Sequence, residues 1–497
     1  RRRREESYTL FRNDIRKGLL MRNTQMPLFA PETEWVAPEE LKDLSGVKEV
    51  AIDLETYDPH LMTQGSGSVV GKGHIAGVAV AIEGWSGYYP IGHEGGGNMD
   101  RKLVLQWVQD LVNQEKTTFI FHNAMYDVCW LRNAGINIRG HIVDTMIAAS
   151  LIDENRMSYA LNTLAKHYVG LGKDEKVLQE AAKSYDLNAK ADMWKLPAMY
   201  VGEYAERDAE ATLKLWQRLN IELHNQELMD VFNLETKLFP CLVDMRFKGV
   251  RVDLEHAAKL KKNLIVRENK ILSKIKELTG INVEIHAARS IAKAFDKLKL
   301  PYDRTEKSNE PSFTKNFLQN HPHELAKSIA DAREINKAHT TFIDSITKHS
   351  HDGRIHADIN QIRSDQGGTV TGRFSMSNPN LQQIPARHPE IGPMIRSIFI
   401  PEEKTVWGSF DYSQQEPRIL VHYAKLQNLD GVDEIVNAYN EGDADFHQVV
   451  ADMAGIERKQ AKTINLGLMY GMGKNKLMSE LGLQKESAEK LIRQYHT

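Results

Sequence analysis

The feature that most restricts how this chain can fold is a run of four different side chains spaced four residues apart near its C-terminal end. Arg458, Lys462, Leu466 and Tyr470 follow this spacing. On an α-helix, a step of four residues turns a side chain by only about 40° around the axis, so all four would share one face. A face that passes from two cations to an apolar residue and a ring suits a nucleoside triphosphate, with the cations on the phosphates.

A carboxylate follows an apolar run ahead of that segment. Residues 405–410 read as a strand, and Asp411 comes directly after them. Carboxylate oxygens are the ligands that hard cations such as Mg²⁺ prefer. The pattern therefore predicts a metal-binding Asp411 at a strand end, opposite the cationic helix face.

The first half of the chain alternates strand and helix patterns. Such alternation predicts a mixed α/β layer fold. Beyond about residue 226 helical patterns dominate, with a polar loop at 303–313. The predicted strands are Val50–Asp53, Ile75–Ile82 and Thr118–Phe121, and the predicted helices lie at 101–114, 124–134, 144–152, 203–224, 254–278 and 324–348.

Four carboxylates occur at positions that the fold would bring together. Asp53 and Glu55 end a strand, where alternation puts both on one side. Asp127 lies early in a helix, and Tyr204 and Asp208 share a face of a later helix. Four such acids could hold two divalent cations, a pair that activates water and stabilises the leaving oxygen of a phosphodiester. The alternative is that they are solvated helix ends and caps, as Asp144 is predicted to be.

Three stretches carry a resemblance to a known family. Residues 411–416 resemble palm motif A, and residues 458–471 resemble the fingers helix, motif B, of family A DNA polymerases of the bacterial polymerase I and phage type. Residues 371–385 resemble the primer–template stretch of that family. The segments around Asp53, Asp127 and Asp208 resemble the exonuclease motifs of the DEDD superfamily, tyrosine subtype. The resemblance runs from about residue 50 to the last residue.

This resemblance implies a fold and a domain order. An α/β exonuclease domain, ribonuclease H-like with a mixed sheet and helices, should precede an incomplete right-hand polymerase domain with a helical thumb, part of the palm and part of the fingers. The expected segments are an N-terminal arm (1–45), the exonuclease domain (46–225), palm base and thumb (226–350), palm (351–435) and fingers (436–497).

The resemblance also implies residue roles in the exonuclease site. Asp53, Glu55 and Asp208 would bind one metal ion, and Asp53 and Asp127 a second. Tyr204 would orient the attacking water. The positioning residues would be Asn123 and Tyr126.

In the polymerase site, the family pattern assigns Asp411 to both Mg²⁺ ions. Glu416 matches the steric gate that crowds a ribose 2′-OH, although an ion pair with Arg418 is the alternative. Arg458 and Lys462 would bind the triphosphate. The other expected contacts are Tyr470 between template base and incoming sugar, Arg373 and Gln383 on the primer–template, and His447, a nucleotide neighbour or a structural histidine.

Two departures from the family pattern stand out. Leu466 occupies a position where the family usually has Phe or Tyr packed on the incoming sugar. Nothing after Tyr470 resembles motif C, the His-Asp-Glu hairpin that supplies the second metal-binding carboxylate. We therefore expect that this chain alone does not polymerise DNA and that a second polypeptide, or residues beyond Thr497, carries the rest of the palm and fingers.

The expected function is template-directed DNA synthesis with 3′–5′ proofreading, using two Mg²⁺ ions per site, with Mn²⁺ as an alternative. The alternatives are an enzyme that is only an exonuclease, and a DNA-binding half of a split polymerase. Primer–template DNA and dNTPs are the expected partners. Residues 25–29 (QMPLF) resemble the short peptide that binds a sliding clamp. The alternative is that this segment packs as a strap on its own domain.

The resemblance implies a cytoplasmic enzyme of a bacterium or a phage-infected cell, and the composition is that of an ordinary protein of a reducing compartment. The formal net charge of −3 argues against a generic basic coat for DNA but allows a locally basic cleft. Two cysteines, Cys129 and Cys241, argue against a disulfide framework or a cysteine-based zinc site. No apolar run reaches the roughly 18 residues of a membrane span.

Overall fold

The fold is described here from a computed structural model that covers residues 30–496, except residues 173, 366, 387, 443, 444, 446, 449, 450 and 453–455. The chain divides into two compact units, Arg1–Thr405 and Val406–Thr497. The five domain boundaries predicted from the sequence stay predictions. The clamp-like peptide at residues 25–29 lies outside the described residues.

A five-stranded sheet forms the centre of the first unit. Its order is β3-β2-β1-β4-β5, with β1 antiparallel to β2 and parallel to β4. The α/β fold expected from the alternating pattern is therefore confirmed. The strands are β1 (Glu49–Tyr57), β2 (His74–Ile82), β3 (Trp85–Pro90), β4 (Thr118–Phe121) and β5 (His141–Asp144).

Helices surround this sheet, and those at Arg101–Val112, Ala124–Asn133, Thr145–Ile152 and Gly202–Asn225 agree closely with predicted ones, whereas the other four in the described residues were not predicted. They are α1 (Leu61–Gln64), α2 (Arg101–Val112), α3 (Ala124–Asn133), α4 (Thr145–Ile152), α5 (Leu161–Val169), α6 (Lys176–Ser184), α7 (Gly202–Asn225) and α8 (Met229–Lys248).

Alternation along β1 divides the packing between the two faces of the sheet. Val50, Ile52 and Leu54 belong to a core on one face, together with residues of α2 and α3. Ala51 belongs to a second core on the opposite face, to which α7 contributes more buried side chains than any other element. Asp53 and Glu55 continue the Ala51 series, so they point towards the α7 side of the sheet.

The rest of the first unit is mainly helical. The predicted helix at 254–278 is confirmed as α9 (Leu254–Thr279), but the one at 324–348 is interrupted by a π-helical segment, Ala338–Ile343. The polar loop at 303–313 contains a two-stranded ribbon. The remaining elements are α10 (Ala288–Lys297), α11 (Lys315–Asn320), α12 (Glu324–Lys337), α13 (Asp344–His349), α14 (Ile391–Arg396), β6 (Val250–Arg251), β7 (Asp303–Arg304), β8 (Pro311–Ser312), β9 (Ser350–His351), β10 (Arg354–Ile355), β11 (Asp358–Asn360) and β12 (Ser375–Ser377).

The second unit consists of helices in its described part. A small core of Ile464, Leu468, Leu477 and Ala488 joins the last three of them. The helices are α15 (Gln415–Leu426), α16 (Val432–Glu441), α17 (Arg458–Met469), α18 (Lys474–Leu481) and α19 (Lys485–His496).

The strand predicted at residues 405–410 was wrong. This segment has no strand assignment, and Val406 and Phe410 are 88% and 96% exposed. A strand is stabilised by hydrogen bonds to a neighbouring strand, and no β-pairing to residues 405–410 occurs in the described part of the chain. An apolar sequence alone therefore leaves the segment extended but unpaired.

No helix in the described residues combines the length and the apolar character needed to cross a membrane.

Candidate active sites

The first candidate site forms along the second half of β1, which continues past the predicted strand end to Tyr57. Asp53 pairs with Ala79 of β2, and Glu55 pairs with Gly77. The ring of Tyr88 packs directly on Gly77, the partner of Glu55. A Cβ at Gly77 would lie only 2.1 Å from the Tyr88 hydroxyl. Burial and the negative charges of Glu55 and Asp53 raise the pKa of Tyr88. This part of β1 is therefore a compact, negatively charged environment.

Asp127 reaches the same strand from α3. Its side chain is 4% exposed, and its Oδ1 accepts a hydrogen bond of 3.1 Å from the backbone N–H of Leu54, between the two strand acids. Burial, followed by the charge of Asp53, raises the pKa of Asp127 well above its usual value. The hydroxyl of Tyr126, one residue earlier, lies 2.6 Å from Thr56 Oγ1 and ties the start of α3 to β1.

Helix α7 brings Tyr204 and Asp208 to this environment. Asp208 is buried, and Tyr204 lies one turn before it. Burial raises the pKa of the Tyr204 hydroxyl, and the charges of Glu55, Asp208 and Asp53 raise it further. Tyr204 is thus surrounded by acids from two elements, as the spacing predicted.

The acids converge, but they do not form a closed metal cage. Within the described part of the chain, no three His, Cys, Asp or Glu side chains are gathered closely enough to hold a metal ion. Like-charged carboxylates repel one another unless a cation lies between them, and the raised pKa of Asp127 reflects that repulsion from Asp53. An all-oxygen, acidic donor set of this kind fits a hard divalent cation. Metal binding by Asp53, Glu55, Asp127 and Asp208 stays a prediction.

The second candidate site lies in the second unit. Arg458, Lys462 and Tyr470 are exposed, whereas Ile464 and Leu468 of the same segment are buried. These three residues therefore form a solvent-facing part of the predicted common face, on α17 and the residue that follows it, whereas the side chain of Leu466 lies outside the described part of the chain. Arg458 Nε donates a 2.5 Å hydrogen bond to Asp445 Oδ2, which lowers the pKa of that carboxyl.

His447 occupies the base of this face. It is 3% exposed, and its Nδ1 lies 3.0 Å from Asn465 Nδ2 on the buried side of α17. Burial lowers the pKa of His447, while Asp445 and Glu416 raise it and Arg458 and Lys462 lower it. His447 therefore has a structural partner in Asn465. The predicted phosphate-binding residues Arg458 and Lys462 also lie near enough to lower its pKa.

Asp411 and Glu416 lie at the entry to α15. Asp411 is exposed in the irregular segment, and Glu416 is in the first turn of the helix. Arg418, the alternative partner of Glu416, donates from its Nε to the carbonyl oxygen of Ser413 at 2.9 Å and covers the Tyr439 ring at 4.6 Å.

Comparisons with known proteins identify the family of the chain. Residues 32–224 match the family model "3'-5' exonuclease", and residues 254–497 match "DNA polymerase family A". The DNA-directed DNA polymerase of Pseudomonas phage M6 is 38% identical over 486 residues, which cover 92% of this chain and 73% of the relative. The chain belongs to DNA polymerase family A.

Other members of the family are more distant. The DNA polymerase DpoZ of Salmonella phage PMBT28 is 32% identical, with 88% of this chain and 72% of the relative covered. DNA polymerase I of Pseudomonas aeruginosa is 29% identical, and the match covers 92% of this chain but only 50% of that protein. These family A relatives are longer than the 497 residues described here.

A solved structure supports the fold. The POL domain of Pol1 from M. smegmatis, in complex with DNA primer-template and dNTP, superposes with a TM-score of 0.68. Its sequence is 22% identical, and the match covers 91% of this chain and 73% of that one. The fold expected for a family A polymerase with an α/β exonuclease domain is confirmed.

The primer–template stretch of this family A chain lies in the first unit. Arg373 is exposed after the loop at residues 364–372, and its carbonyl oxygen accepts a 2.7 Å hydrogen bond from Thr369 Oγ1. Gln383 is exposed in the short 3₁₀ helix Leu381–Gln383. Their contacts with DNA stay predictions.

Sequence reasoning did not identify every residue that supports the two candidate sites. Tyr88 could have been found from strand register, because β3 pairs it with Ala79 and β2 pairs Ala79 with Asp53. Asn465 gave no such signal, since its partner His447 lies 18 residues away and outside the same helix. Asp144 was correctly predicted as a helix cap, but its second role was not.

Asp144 caps two helices at once. Its Oδ1 accepts from Met146 N at 2.8 Å, which confirms the cap on α4. The same carboxylate accepts from the backbone N–H groups of Asn123 (3.0 Å) and Ala124 (2.8 Å), where α3 begins. Burial raises the pKa of Asp144 to about 6. One buried carboxylate thus fixes the first turn of the helix that carries Asp127.

We expect Asp144→Asn to reduce 3′ trimming by about 10- to 100-fold, the range found when a support of a metal ligand is lost. The amide would place an N–H₂ group against N–H donors, so the start of α3 would shift and Asp127 with it. The measurement is the trimming rate as a function of Mg²⁺ concentration, and the variant should need more Mg²⁺ for its half-maximal rate.

Asp100→Asn is the matched control. Asp100 caps α2 with 2.8 and 3.0 Å hydrogen bonds from Lys102 and Leu103 but touches no part of α3 in the described residues. Asn caps helices about as well as Asp, so this control should keep its stability and its Mg²⁺ dependence. Equal Mg²⁺ dependence in both variants would contradict a positioning role for Asp144.

Proposed function

We propose that the first unit trims the 3′ end of DNA. The observation that carries this proposal is that acids from β1, α3 and α7 lie near one another along β1. Beyond the effect of burial, Asp53 raises the pKa of Asp127, and Glu55, Asp208 and Asp53 raise that of Tyr204. Perturbed titration in such a cluster is typical of reactive sites. The match of residues 32–224 to an exonuclease model supports the same assignment.

In this proposal, Asp53, Glu55 and Asp208 hold one Mg²⁺ ion, and Asp53 and Asp127 hold the other. When bound, two such ions activate water and stabilise the leaving oxygen of the phosphodiester. Tyr204 keeps its proton, because burial and the neighbouring acids raise its pKa, and its hydroxyl therefore donates to and orients a water molecule.

We further propose that the second unit selects and binds the incoming dNTP. Arg458 and Lys462 bind the triphosphate from one exposed face of α17, and Tyr470 contacts the base and sugar. Glu416 excludes a ribose 2′-OH, and Asp411 ligates Mg²⁺. His447 positions this face through Asn465 and lies beside the bound phosphates.

Asp411 alone does not complete a two-metal polymerase site. A second polypeptide is a candidate source of the second carboxylate. Arg373 and Gln383 would contact the primer–template backbone or minor groove. We place this activity in a bacterial cytoplasm or a phage-infected cell, on the grounds of the phage and bacterial relatives. A sliding clamp is a further candidate partner, through residues 25–29.

A second candidate function is 3′ trimming without synthesis. It is favoured by the contrast between the gathered acids of the first unit and Asp411, which is exposed in a segment without strand pairing. In that case the second unit would serve only to grip DNA.

Asp411→Ala is the variant that tests the polymerase proposal. We expect it to abolish primer extension with Mg²⁺ and dNTPs and to leave 3′ trimming unchanged, because the two sites use separate carboxylates. The intact mass of the purified protein and of any chain that co-purifies is measured alongside. Asp433→Ala is the control, since Asp433 is also an exposed acid of the second unit but pairs with Lys425.

Extension that survives in Asp411→Ala would overturn the assignment of Asp411. A wild-type protein with the mass of these residues alone that trims but never extends would favour the exonuclease-only function. A protein that neither trims nor extends would overturn both proposals.

A further inference from the structure

Three partly exposed aromatic rings gather just beyond the acids of β1. The Tyr57 and Trp194 ring centroids lie 4.0 Å apart with their planes at 37°. His74 lies 5.4 Å from Tyr57 and 6.0 Å from Trp194, with its ring edge-on to the tryptophan. We call these three residues the aromatic shelf. None of the roles assigned above uses them.

The shelf lies on the same face of the sheet as the catalytic acids. The β1–β2 register skips Ala76, so the extra residue of the bulge belongs to β2 and alternation along β1 continues. Tyr57 therefore follows Asp53 and Glu55 on one face, about 6.7 Å beyond Glu55. Trp194 reaches it from the 3₁₀ helix Met193–Lys195, which leads into α7.

Backbone hydrogen bonds hold the segment that carries Trp194 against the sheet. The carbonyl oxygen of Trp194 accepts from Glu94 N at 2.9 Å, and that of Leu196 lies 3.0 Å from His93 Nδ1. These bonds tie the Trp194 segment to the sheet, and His74 Nε2 also lies 3.0 Å from the carbonyl oxygen of Gly92, so the ring faces of Tyr57 and Trp194 are the ones that these bonds leave unused. The fully buried aromatic residues nearby, such as Tyr88 and Trp130, do the core packing.

A cation accompanies the rings. Lys195 Nζ lies 5.4 Å from the Trp194 ring centroid and pairs with Asp192 at 2.7 Å in a partly exposed position. Aromatic faces beside a cation are what proteins use to bind single-stranded nucleic acid, with the rings on bases and the cation near the backbone.

We propose that the aromatic shelf stacks one unpaired base of a DNA strand whose 3′ end lies at Asp53 and Glu55. This inference rests on the proposed exonuclease function and adds a base-binding subsite to it. Stacking is tolerant of sequence, since every base has a π-face. The shelf would therefore favour an unpaired end over a base-paired one without reading its sequence.

The test is the affinity for a short fluorescent single-stranded oligonucleotide, measured by anisotropy in EDTA so that no metal-dependent trimming occurs. We expect Trp194→Ala to raise the dissociation constant about tenfold, within the range for loss of one stacked base. Trp194→Phe should recover most of the affinity. Oligonucleotides with one abasic site, moved step by step from the 3′ end, then locate the stacked base. One abasic position should weaken binding to wild type but not to Trp194→Ala.

Trp85→Ala is the matched control. Trp85 lies at the far end of the same sheet, opposite Ile82, and also carries a lysine, Lys42, 5.8 Å from its ring. This control should bind like wild type. The proposal would be overturned by unchanged affinity in Trp194→Ala. It would also be overturned if the abasic site weakened binding equally in wild type and in Trp194→Ala. If Trp194→Ala fails to fold, the absence of any position-specific abasic penalty in wild type would overturn it.

Trimming by wild type in Mg²⁺ is recorded in parallel. If wild type trims but Trp194→Ala binds the oligonucleotide as tightly as wild type, only the base-binding role of the shelf is rejected. If wild type does not trim, the exonuclease proposal itself is rejected.

Discussion

Replacing Asp53 and Glu55 together by alanine is expected to abolish Mg²⁺-dependent trimming of a DNA 3′ end while the protein stays folded. The loss should exceed about 100-fold, the upper part of the range for removing only an outer partner of a metal ligand. Both side chains lie in the second half of β1 and belong to neither hydrophobic core. Their loss therefore removes candidate metal ligands and leaves the packing of the sheet intact.

The same variant makes a prediction about stability. Without metal, Asp53 opposes ionisation of Asp127, because two nearby negative charges repel. Removing Asp53 relieves this repulsion, so the midpoint of thermal unfolding in EDTA should stay equal or rise. Added Mg²⁺ should raise the midpoint of wild type but not that of the variant, since a ligand that binds only the folded state stabilises it.

Glu203→Ala combined with Glu210→Ala is the control. These two acids lie on α7, which also carries Asp208, and they pair at the surface with Arg207 and Lys214. The control removes the same number of negative charges from the same unit. It should trim like wild type and keep its response to Mg²⁺. Trimming of normal rate in the Asp53/Glu55 variant would show that the reactive site lies elsewhere.

The sequence predicted the exonuclease sheet well where pattern and burial coincide. The strands at Val50–Asp53 and Ile75–Ile82 carry apolar residues on both buried faces, and the structure extends them to β1 and β2. The sequence-based prediction did not include β3 or β5. The first begins Trp-Ser-Gly and the second His-Ile-Val-Asp, so neither has a clear apolar period, and pairing with β2 and β4 decides their conformation.

The site residues were also predicted correctly where the signal lies within one element and missed where it joins distant ones. Spacing within one element located Asp53 with Glu55, Tyr204 with Asp208, and the exposed face of α17, because helix and strand geometry is local. The strand before Asp411 could not be predicted in this way, since its conformation depends on a neighbouring strand. The double cap by Asp144 and the contact of His447 with Asn465 also join distant residues, and no single-sequence period contains them.

A last expectation concerns the buried ion pair between Arg246 of α8 and Asp358 of β11. The two side chains are only 5% and 21% exposed. Asp358 also accepts a 2.8 Å hydrogen bond from Asn378 Nδ2, next to β12. The pair thus connects α8, which packs against the core of the exonuclease sheet, with the β11–β12 ribbon, whose second strand lies within the predicted primer–template stretch.

Arg246→Ala should lower the free energy of unfolding by about 3–5 kcal/mol, because it leaves the Asp358 carboxylate buried without its cation. Lys214→Ala, which breaks the exposed pair with Glu210, should cost at most about 0.5 kcal/mol. The measurement is the denaturant midpoint of each variant. Amide exchange should also rise selectively in β11 and β12 of Arg246→Ala, since the ribbon loses its link to α8.

The double variant Arg246→Met with Asp358→Leu separates the charge from the packing. Removing both partners leaves no unpaired charge, so most of the stability lost in Arg246→Ala should return, as it does when buried ion pairs are replaced by apolar side chains of similar size. A double variant as unstable as Arg246→Ala would show that hydrogen-bond geometry at Asn378, rather than charge pairing, holds the ribbon. A single variant that loses less than about 1 kcal/mol would place the pair in the range of solvated surface pairs and contradict its burial.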